Sequence, residues 1–201
     1  FYYGGTVVLS PSTDMDEIFS LVEKEHVTVI AAVVPLISTW LSSDVPDKYD
    51  LSSLNVIQNG GARLAPELRQ RMRARWNCIP QEIYGTAEGL INMTRLDASD
   101  ELLLNSSGQP VCEADEIKVV DDEGRELPDG EAGELLTRGP YTICGYYNAN
   151  EKNAEAFTED GFFRTGDMGY INKEGQLVLT ERLKDLFKTS NGKYIAPQSI
   201  E

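Results

Sequence analysis

The fold class follows from residues 54–89, which read LNVIQNGGARLAPELRQRMRARWNCIPQEIYGTAEG. Residues 54–58 form a short apolar run that predicts a strand, and the two glycines that follow predict a turn. Residues 66–76 carry a proline near the first turn, which is typical of a helix start, and residues 81–84 again suit a strand. Strands that alternate with helices in this way indicate a parallel sheet.

The stretch before it extends the same pattern. Residues 27–34 are an apolar run that predicts another strand, and residues 36–41 predict the start of a helix. Residues 6–9 predict a short buried strand, and Ser12 or Thr13 is expected to cap a helix. The apolar side chains of that helix fall on one face, at Met15, Ile18, Phe19 and Val22. The first part of the chain is therefore predicted to be α/β.

The pattern changes after about residue 97. Short strands separated by turn signals predict a small antiparallel, β-barrel-like unit. The predicted strands are 116–120, 134–137 and 177–180, and a turn is predicted at 172–175. The charged run at 181–185 predicts a linker into a further domain. We therefore expect three parts: an α/β subdomain at 1–97, a β-rich subdomain at 98–180, and a hinge with the beginning of a small C-terminal domain at 181–201.

The composition limits the partners and the location of the protein. The formal net charge of −15, from 33 acidic and 18 basic residues, disfavours nucleic acid and anionic membrane surfaces as partners. Cys78, Cys112 and Cys144 have neither a zinc-site nor a disulfide-framework spacing, so a reducing cytoplasm fits best. No apolar stretch is long enough for membrane insertion. The first residues, FYYGGTVVLS, lack an initiator Met and predict a start within a domain.

Two motifs follow predicted strands. At 59–62, the two glycines of NGGA let a flat ring or a phosphate approach the backbone without meeting a Cβ. A pair of glycines after a strand, however, is often only a turn. At 84–89, YGTAEG places an aromatic ring, a hydroxyl and a carboxylate at the carboxyl end of the sheet, where α/β proteins bind ligands. Thr86 could bond a phosphate oxygen, Glu88 could hold Mg²⁺ and Tyr84 could stack on a base. The alternative is a tight turn with a buried tyrosine and an exposed glutamate.

Two further motifs carry charge. Asp167, expected after a turn in FRTGD, could accept hydrogen bonds from both hydroxyls of a ribose. Arg182, in the run ERLKD, could bind ribose or phosphate oxygens, although such a run is often a solvated linker.

Taken in order, GGA, YGTAEG, GELLTRGPYTICGYY, FRTGD and ERLKD resemble the core motifs of adenylate-forming enzymes. This superfamily comprises acyl- and aryl-CoA synthetases, non-ribosomal adenylation domains and firefly luciferase. QNGGARL, AEGLINMTRLD and LLTRGPYT are most similar to the ligases that load 2,3-dihydroxybenzoate or salicylate in siderophore assembly. The tail LFKTSNGKYIAPQ instead resembles fatty acyl-CoA synthetases, which leaves a fatty acid or a mixed origin as alternatives.

The resemblance implies the second half of a large adenylation domain, followed by its β-rich subdomain. It implies a ligase that joins a carboxylic acid, an aryl acid above all, to AMP from ATP with release of pyrophosphate. The acyl group then passes to the pantetheine thiol of a carrier protein or CoA. The superfamily's phosphate loop and catalytic lysine are expected outside these 201 residues. The alternatives are a fragment that binds AMP without activity and a purely structural interaction domain.

The resemblance also implies a role for each matching residue. Gly60, Gly61 and Ala62 would line one side of the adenine, and Tyr84, followed by Gly85 in the same turn, would pack on the other. Thr86 would contact the α-phosphate and Glu88 would hold Mg²⁺. Asp167 and Arg182 would bind the ribose, and Lys184 would be the hinge residue.

The acyl pocket is less well marked. Val33, Val34 and Asn59 are the expected wall residues, although ordinary strand and turn packing explains them equally well.

Overall fold

The computed structural model describes residues 3–182, 187–188 and 194–195. The chain divides into two compact units. The first comprises Phe1–Ile83 with Arg95–Leu104, and the second comprises Tyr84–Thr94 with Asn105–Glu201. No helix in the described part of the chain is long and apolar enough to cross a membrane. The three-part division at residues 97 and 180 stays a prediction.

The first unit contains the predicted parallel sheet. Strands β1 (Val29–Val33), β2 (Val56–Gly60) and β3 (Ile79–Gly85) are neighbours in that order. Val56 of β2 pairs with Val29 on one side and with Ile79 on the other. Both pairings are parallel, so the prediction from residues 54–89 is confirmed. The elements are α1 (Met15–Glu25), β1 (Val29–Val33), α2 (Val34–Leu41), a 3-10 turn (Val45–Lys48), β2 (Val56–Gly60), α3 (Pro66–Trp76), β3 (Ile79–Gly85) and α4 (Asp100–Asn105).

Helix α1 begins at Met15, and its N-cap lies one residue after Thr13 and two after Ser12. Asp14 is the N-cap, and its carboxylate accepts a hydrogen bond from the backbone N–H of Glu17 at 3.1 Å. Ser12 instead donates its hydroxyl to the Glu17 carboxylate at 2.5 Å. The prediction of Ser12 or Thr13 as the cap is therefore wrong, because the aspartate beside them satisfies the free amide of the first turn.

Two strand predictions also need correction. Residues 6–9 form no strand, and Val7 and Leu9 are 53% and 82% exposed, so this apolar run is not buried. The run at 27–34 gives a shorter strand than predicted, since β1 covers only Val29–Val33. Helix α2 begins at Val34, because Pro35 suits a first helical turn and lacks the N–H that a strand needs.

The core of the first unit is built on aromatic rings. The rings of Phe19 and Trp40 meet edge to face with their centroids 5.3 Å apart, and Trp76 lies 6.5 Å from Phe19. Arg75 of α3 donates to the carbonyl oxygens of Trp40 at 3.0 Å and Ser43 at 2.7 Å. The apolar side of α3 thus packs in the core, while Arg75 satisfies carbonyl groups at the end of α2.

The second unit is mainly antiparallel, as predicted. One sheet contains, in this order, β6 (Glu116–Val120), β7 (Gly133–Arg138), β8 (Phe163–Ile171) and β9 (Leu177–Arg182). A second pairing joins β4 (Ile91–Met93) to β5 (Gln109–Pro110). FRTGD lies inside β8 rather than after a turn, because Gly166, at φ +71°, accommodates an irregularity within the strand. The elements are β4 (Ile91–Met93), β5 (Gln109–Pro110), β6 (Glu116–Val120), β7 (Gly133–Arg138), α5 (Asn150–Ala156), β8 (Phe163–Ile171), β9 (Leu177–Arg182), β10 (Phe187–Lys188) and β11 (Tyr194–Ile195).

Gly108 is a position where the second unit requires glycine. Its φ is +80°, and a Cβ placed there would lie 2.0 Å from the carbonyl carbon of Met93. We expect Gly108→Ala to destabilise the protein by about 3 kcal/mol, because the backbone itself would have to move. The measurement is urea unfolding followed by circular dichroism.

Gly124→Ala is the matched control for that substitution. Gly124 has a similar φ of +77°, yet nothing lies within 4 Å of its virtual Cβ. Its substitution should lower the free energy of unfolding by only about 1 kcal/mol, which is the strain of a left-handed backbone at alanine. Equal costs for the two variants would show that the contact with Met93 does not require glycine.

Candidate functional site

The glycine turn of the first unit follows the carboxyl end of β2. Gly60 pairs with Val33 of β1, and a Cβ on Gly61 would lie 3.9 Å from Val33 Cγ1. Gly61 has φ +82°, which glycine adopts without strain, and Ala62 after it is exposed. The structure therefore brings Val33, Gly60 and Gly61 together at one edge of the sheet, with accessible backbone at the turn.

Asn59 lies in a buried polar network that the sequence analysis did not find. Its Nδ2 donates to Glu82 Oε2 at 2.5 Å, and Arg69 Nη2 lies 2.7 Å from the same oxygen. Arg69 Nε also donates to the carbonyl oxygen of Leu64 at 2.8 Å. Burial raises the pKa of Glu82 to about 6, although the charge of Arg69 acts in the opposite direction. This network ties the segments on both sides of the glycine turn to α3 and β3.

The three predicted wall residues of the acyl pocket have different surroundings. Val33 is 49% exposed, Val34 packs against the core of the first unit, and Asn59 is fully buried. A cavity of about 280 Å³ lies beside α1 and β1, and none of the three lines it. Val33 is therefore the one of the three whose side chain is open to a ligand within the first unit.

In the second unit, Tyr84, Asp167 and Arg182 form a hydrogen-bonded set. The Tyr84 hydroxyl donates to Asp167 Oδ2 at 2.8 Å, and Arg182 Nε donates to Asp167 Oδ1 at 3.0 Å. Asp167 and Arg182 face each other across β8 and β9. The Thr165 hydroxyl accepts from the backbone N–H of Asp167 at 3.0 Å, which fixes the strand where its register shifts.

This set presents an oriented carboxylate. Burial, followed by the negative charge of Asp167, raises the pKa of Tyr84, so its hydroxyl stays protonated and continues to donate. The Tyr84 ring packs against the apolar cluster of Val119, Leu135 and Leu177. Each oxygen of Asp167 has one of these donors and keeps a second lone pair for a ligand hydroxyl.

The turn that holds Thr86 and Glu88 is compact. The Thr86 hydroxyl donates to the carbonyl oxygen of Gly89 at 2.9 Å, so it must rotate before it can donate to a phosphate. A Cβ on Gly85 would lie 2.8 Å from the carbonyl oxygen of Leu90, and one on Gly89 would lie 2.6 Å from Thr142 Cα. Gly85 therefore allows a close backbone approach within the turn, and Gly89 allows one between the turn and Thr142.

Glu88 has a partner that the sequence analysis missed. The Tyr146 hydroxyl donates to Glu88 Oε1 at 2.7 Å across 58 residues of sequence, and this bond raises the pKa of Tyr146. Among the described residues, no group of three or more His, Cys, Asp or Glu could hold a metal ion. A Mg²⁺ ion at Glu88 would therefore need oxygens from nucleotide phosphates and water, which is the coordination that Mg²⁺ commonly takes.

The proposed hinge residue, Lys184, lies outside the described residues.

Comparisons with known proteins agree on one family. The family model described as AMP-binding enzyme matches residues 1–147. The 2,3-dihydroxybenzoate-AMP ligase of Bacillus subtilis (strain 168) is 46% identical over 200 residues, which are 100% of this chain and 37% of that protein. Enterobactin synthase component E of Escherichia coli (strain K12) is 43% identical over 203 residues, covering 100% of this chain and 38% of that protein.

A solved structure shows the same fold. The apo structure of Mycobacterium smegmatis MbtA superposes with a TM-score of 0.82 at 35% identity, covering 98% of this chain and 37% of that one. The chain thus spans well under half the length of these relatives.

Proposed function

The chain belongs to the AMP-binding enzyme family, and from this premise we propose that it forms a nucleotide-binding part of a carboxylate-activating ligase. The observation that carries the proposal is the Asp167 carboxylate, oriented by Tyr84 and Arg182. A carboxylate with free lone pairs is suited to accept hydrogen bonds from the two hydroxyls of a ribose.

The proposed reaction has two steps and belongs to a protein of the relatives' length. In the first, an oxygen of the carboxylic acid attacks the α-phosphorus of ATP, and the bond to the bridging oxygen of pyrophosphate breaks. In the second, the sulfur of a pantetheine thiol, on a carrier protein or CoA, attacks the acyl carbon. AMP then leaves with the oxygen that joined it to the acyl group, and the thiol proton goes to solvent.

Apart from the hinge residue, the residues named below are proposed to bind or orient the nucleotide. The backbone at Gly60, Gly61 and Ala62 contacts the adenine, and so does the Tyr84 ring beside Gly85. Asp167 and Arg182 hold the ribose. Thr86 donates to the α-phosphate after its hydroxyl rotates away from Gly89. Lys184 is proposed as the hinge.

Glu88 is proposed to hold Mg²⁺. Its carboxylate is half-buried, and among the described residues no Lys or Arg forms an ion pair with it, so it suits a cation that also binds phosphate oxygens. When bound, Mg²⁺ would neutralise negative charge that develops on the phosphates.

An aryl acid is the proposed substrate. The relatives include ligases named for 2,3-dihydroxybenzoate, and Val33 offers an exposed apolar side chain beside the glycine turn. The resemblance of residues 186–198 to fatty acyl-CoA synthetases keeps a fatty acid as the alternative. A cytoplasmic location is proposed because Cys78, Cys112 and Cys144 are all free thiols.

Calorimetry with two non-hydrolysable acyl-AMP analogues tests this proposal. We expect the chain to bind salicyl-sulfamoyl adenosine more tightly than the dodecanoyl analogue, because a benzoate-sized group needs only a shallow pocket. We also expect no pyrophosphate exchange by the 201 residues alone. If the chain bound neither analogue, the proposal of a nucleotide site would be wrong. Tighter binding of the dodecanoyl analogue would favour a fatty acid as the substrate. Robust pyrophosphate exchange would contradict the expectation that these 201 residues are inactive alone.

A further inference from the structure

Tyr146 contacts the one carboxylate that the proposed function assigns to magnesium. Its hydroxyl lies 2.7 Å from Glu88 Oε1. A hydrogen bond to one carboxylate oxygen restricts the side-chain torsions of the glutamate and leaves the second oxygen for another ligand. The donor itself is a neutral hydroxyl, so the bond that orients Glu88 is not an ion pair.

Tyr146 is itself held by helix α5. Asn153 Oδ1 accepts from the backbone N–H of Tyr146 at 2.7 Å, and Asn153 Nδ2 donates to the Tyr146 carbonyl oxygen at 2.9 Å. The ring packs edge to face with Phe157, at 6.2 Å between centroids, and Lys152 Nζ lies 4.2 Å from its centre. The backbone and the ring of Tyr146 therefore both have contacts that hold them in place.

The same segment also holds the backbone of Glu88. The N–H of Ile143 donates to the Glu88 carbonyl oxygen at 2.8 Å. Gly89 lies so close to Thr142 that a Cβ would be 2.6 Å from Thr142 Cα. Residues 142–146 thus contact the main chain at 88–89 and, through Tyr146, the Glu88 side chain.

We propose that Tyr146 is a positioning residue that holds the Glu88 carboxylate in the orientation needed to bind a divalent cation with a nucleotide triphosphate. The inference rests on the proposed function. It assigns Tyr146 no contact with the substrate. Partners of a metal ligand commonly change metal affinity by about 10-fold to 100-fold when they are removed.

The test uses the whole chain with Tyr146→Phe, which removes the hydroxyl and keeps the ring. ATP binding is measured by calorimetry at a series of Mg²⁺ concentrations, and AMP binding is measured in EDTA. We expect Tyr146→Phe to need about 10-fold more Mg²⁺ for half-maximal strengthening of ATP binding, with AMP binding unchanged. Tyr147→Phe is the matched control, since Tyr147 is 93% exposed and should behave as the unaltered chain. Glu88→Gln should lose most of the Mg²⁺ dependence.

The outcomes separate the inference from the proposed function. Equal Mg²⁺ dependence of Tyr146→Phe and Tyr147→Phe would overturn the positioning role. Loss of AMP binding in Tyr146→Phe together with a lower melting temperature would also overturn it, because a purely structural role would then explain the variant. If the unaltered chain bound neither AMP nor ATP, the proposed function itself would fail and the inference would fail with it.

Discussion

Asp167→Ala should weaken AMP binding by at least about 100-fold, because hydrogen bonds to a charged acceptor contribute about 1.5–3 kcal/mol each and the variant removes the acceptor of both ribose hydroxyls. Asp167 is only 8% exposed, and Tyr84 and Arg182 orient its carboxylate, so little reorganisation should precede binding. Calorimetry with AMP measures the change.

A comparison of nucleotides distinguishes ribose recognition from damage to the fold. The unaltered chain should bind AMP much more tightly than 2′,3′-dideoxy-AMP, while Asp167→Ala should bind the two equally. Asp129→Ala is the matched control, since Asp129 is an exposed aspartate of the same unit and its loss should change neither affinity. If Asp167→Ala still preferred AMP over the dideoxy compound, the assignment of Asp167 to the ribose would be wrong.

The sequence predicts best where local chemistry decides the structure. Helix α3 has the predicted bounds, since Pro66 suits its first turn and Asn77 ends it with a left-handed φ of 50°. Strand β6 at Glu116–Val120 also matches. The strand prediction at 6–9 was wrong. The composition of these residues suits a strand, but a strand also needs a neighbouring strand to pair with, and composition does not supply one.

The sequence indicates candidate site residues one at a time, but it does not indicate the contacts between them. Tyr84 and Asp167 are 83 residues apart, and Glu88 and Tyr146 are 58 apart, so no local pattern links either pair. Arg69 did leave a signal that the sequence analysis missed. It lies three residues before Met72 and seven before Trp76, on the buried face of α3, and a charge on such a face needs a buried partner.

Arg69→Met should destabilise the protein by about 3–5 kcal/mol, because it removes the positive charge of Arg69 from beside the buried Glu82 carboxylate. Both side chains are fully buried, at 0% and 1% exposure. The variant also removes the donors to the carbonyl oxygens of Leu64 and Leu103. Such a loss is a large fraction of the roughly 5–15 kcal/mol that stabilises a typical domain. Urea unfolding measures it.

Arg73→Met is the matched control on the same helix. Arg73 forms an ion pair with Asp100, but the two side chains are 40% and 71% exposed. An exposed pair of this kind contributes less than about 1 kcal/mol. The double variant Arg69→Met with Glu82→Met should recover much of the stability, because it removes both buried charges. If Arg69→Met cost no more than Arg73→Met, the buried pair would not be what stabilises the first unit.

The loss of unfolding free energy caused by Arg69→Met should depend on pH, which gives an independent check. The sign of this pH dependence follows from the pKa of Glu82. Burial raises that pKa from 4.5 to about 6, and the nearby charge of Arg69 limits the increase. Without Arg69 the pKa should rise further, so the folded variant keeps its proton to higher pH than the folded unaltered chain does. The cost of Arg69→Met should therefore grow as pH rises above about 6. Unfolding measured at several pH values should show this growth when residue 82 is glutamate. It should show no growth when Glu82→Gln alone is compared with the double variant Arg69→Met and Glu82→Gln. A cost that is independent of pH would mean that Glu82 does not depend on Arg69 for its charge.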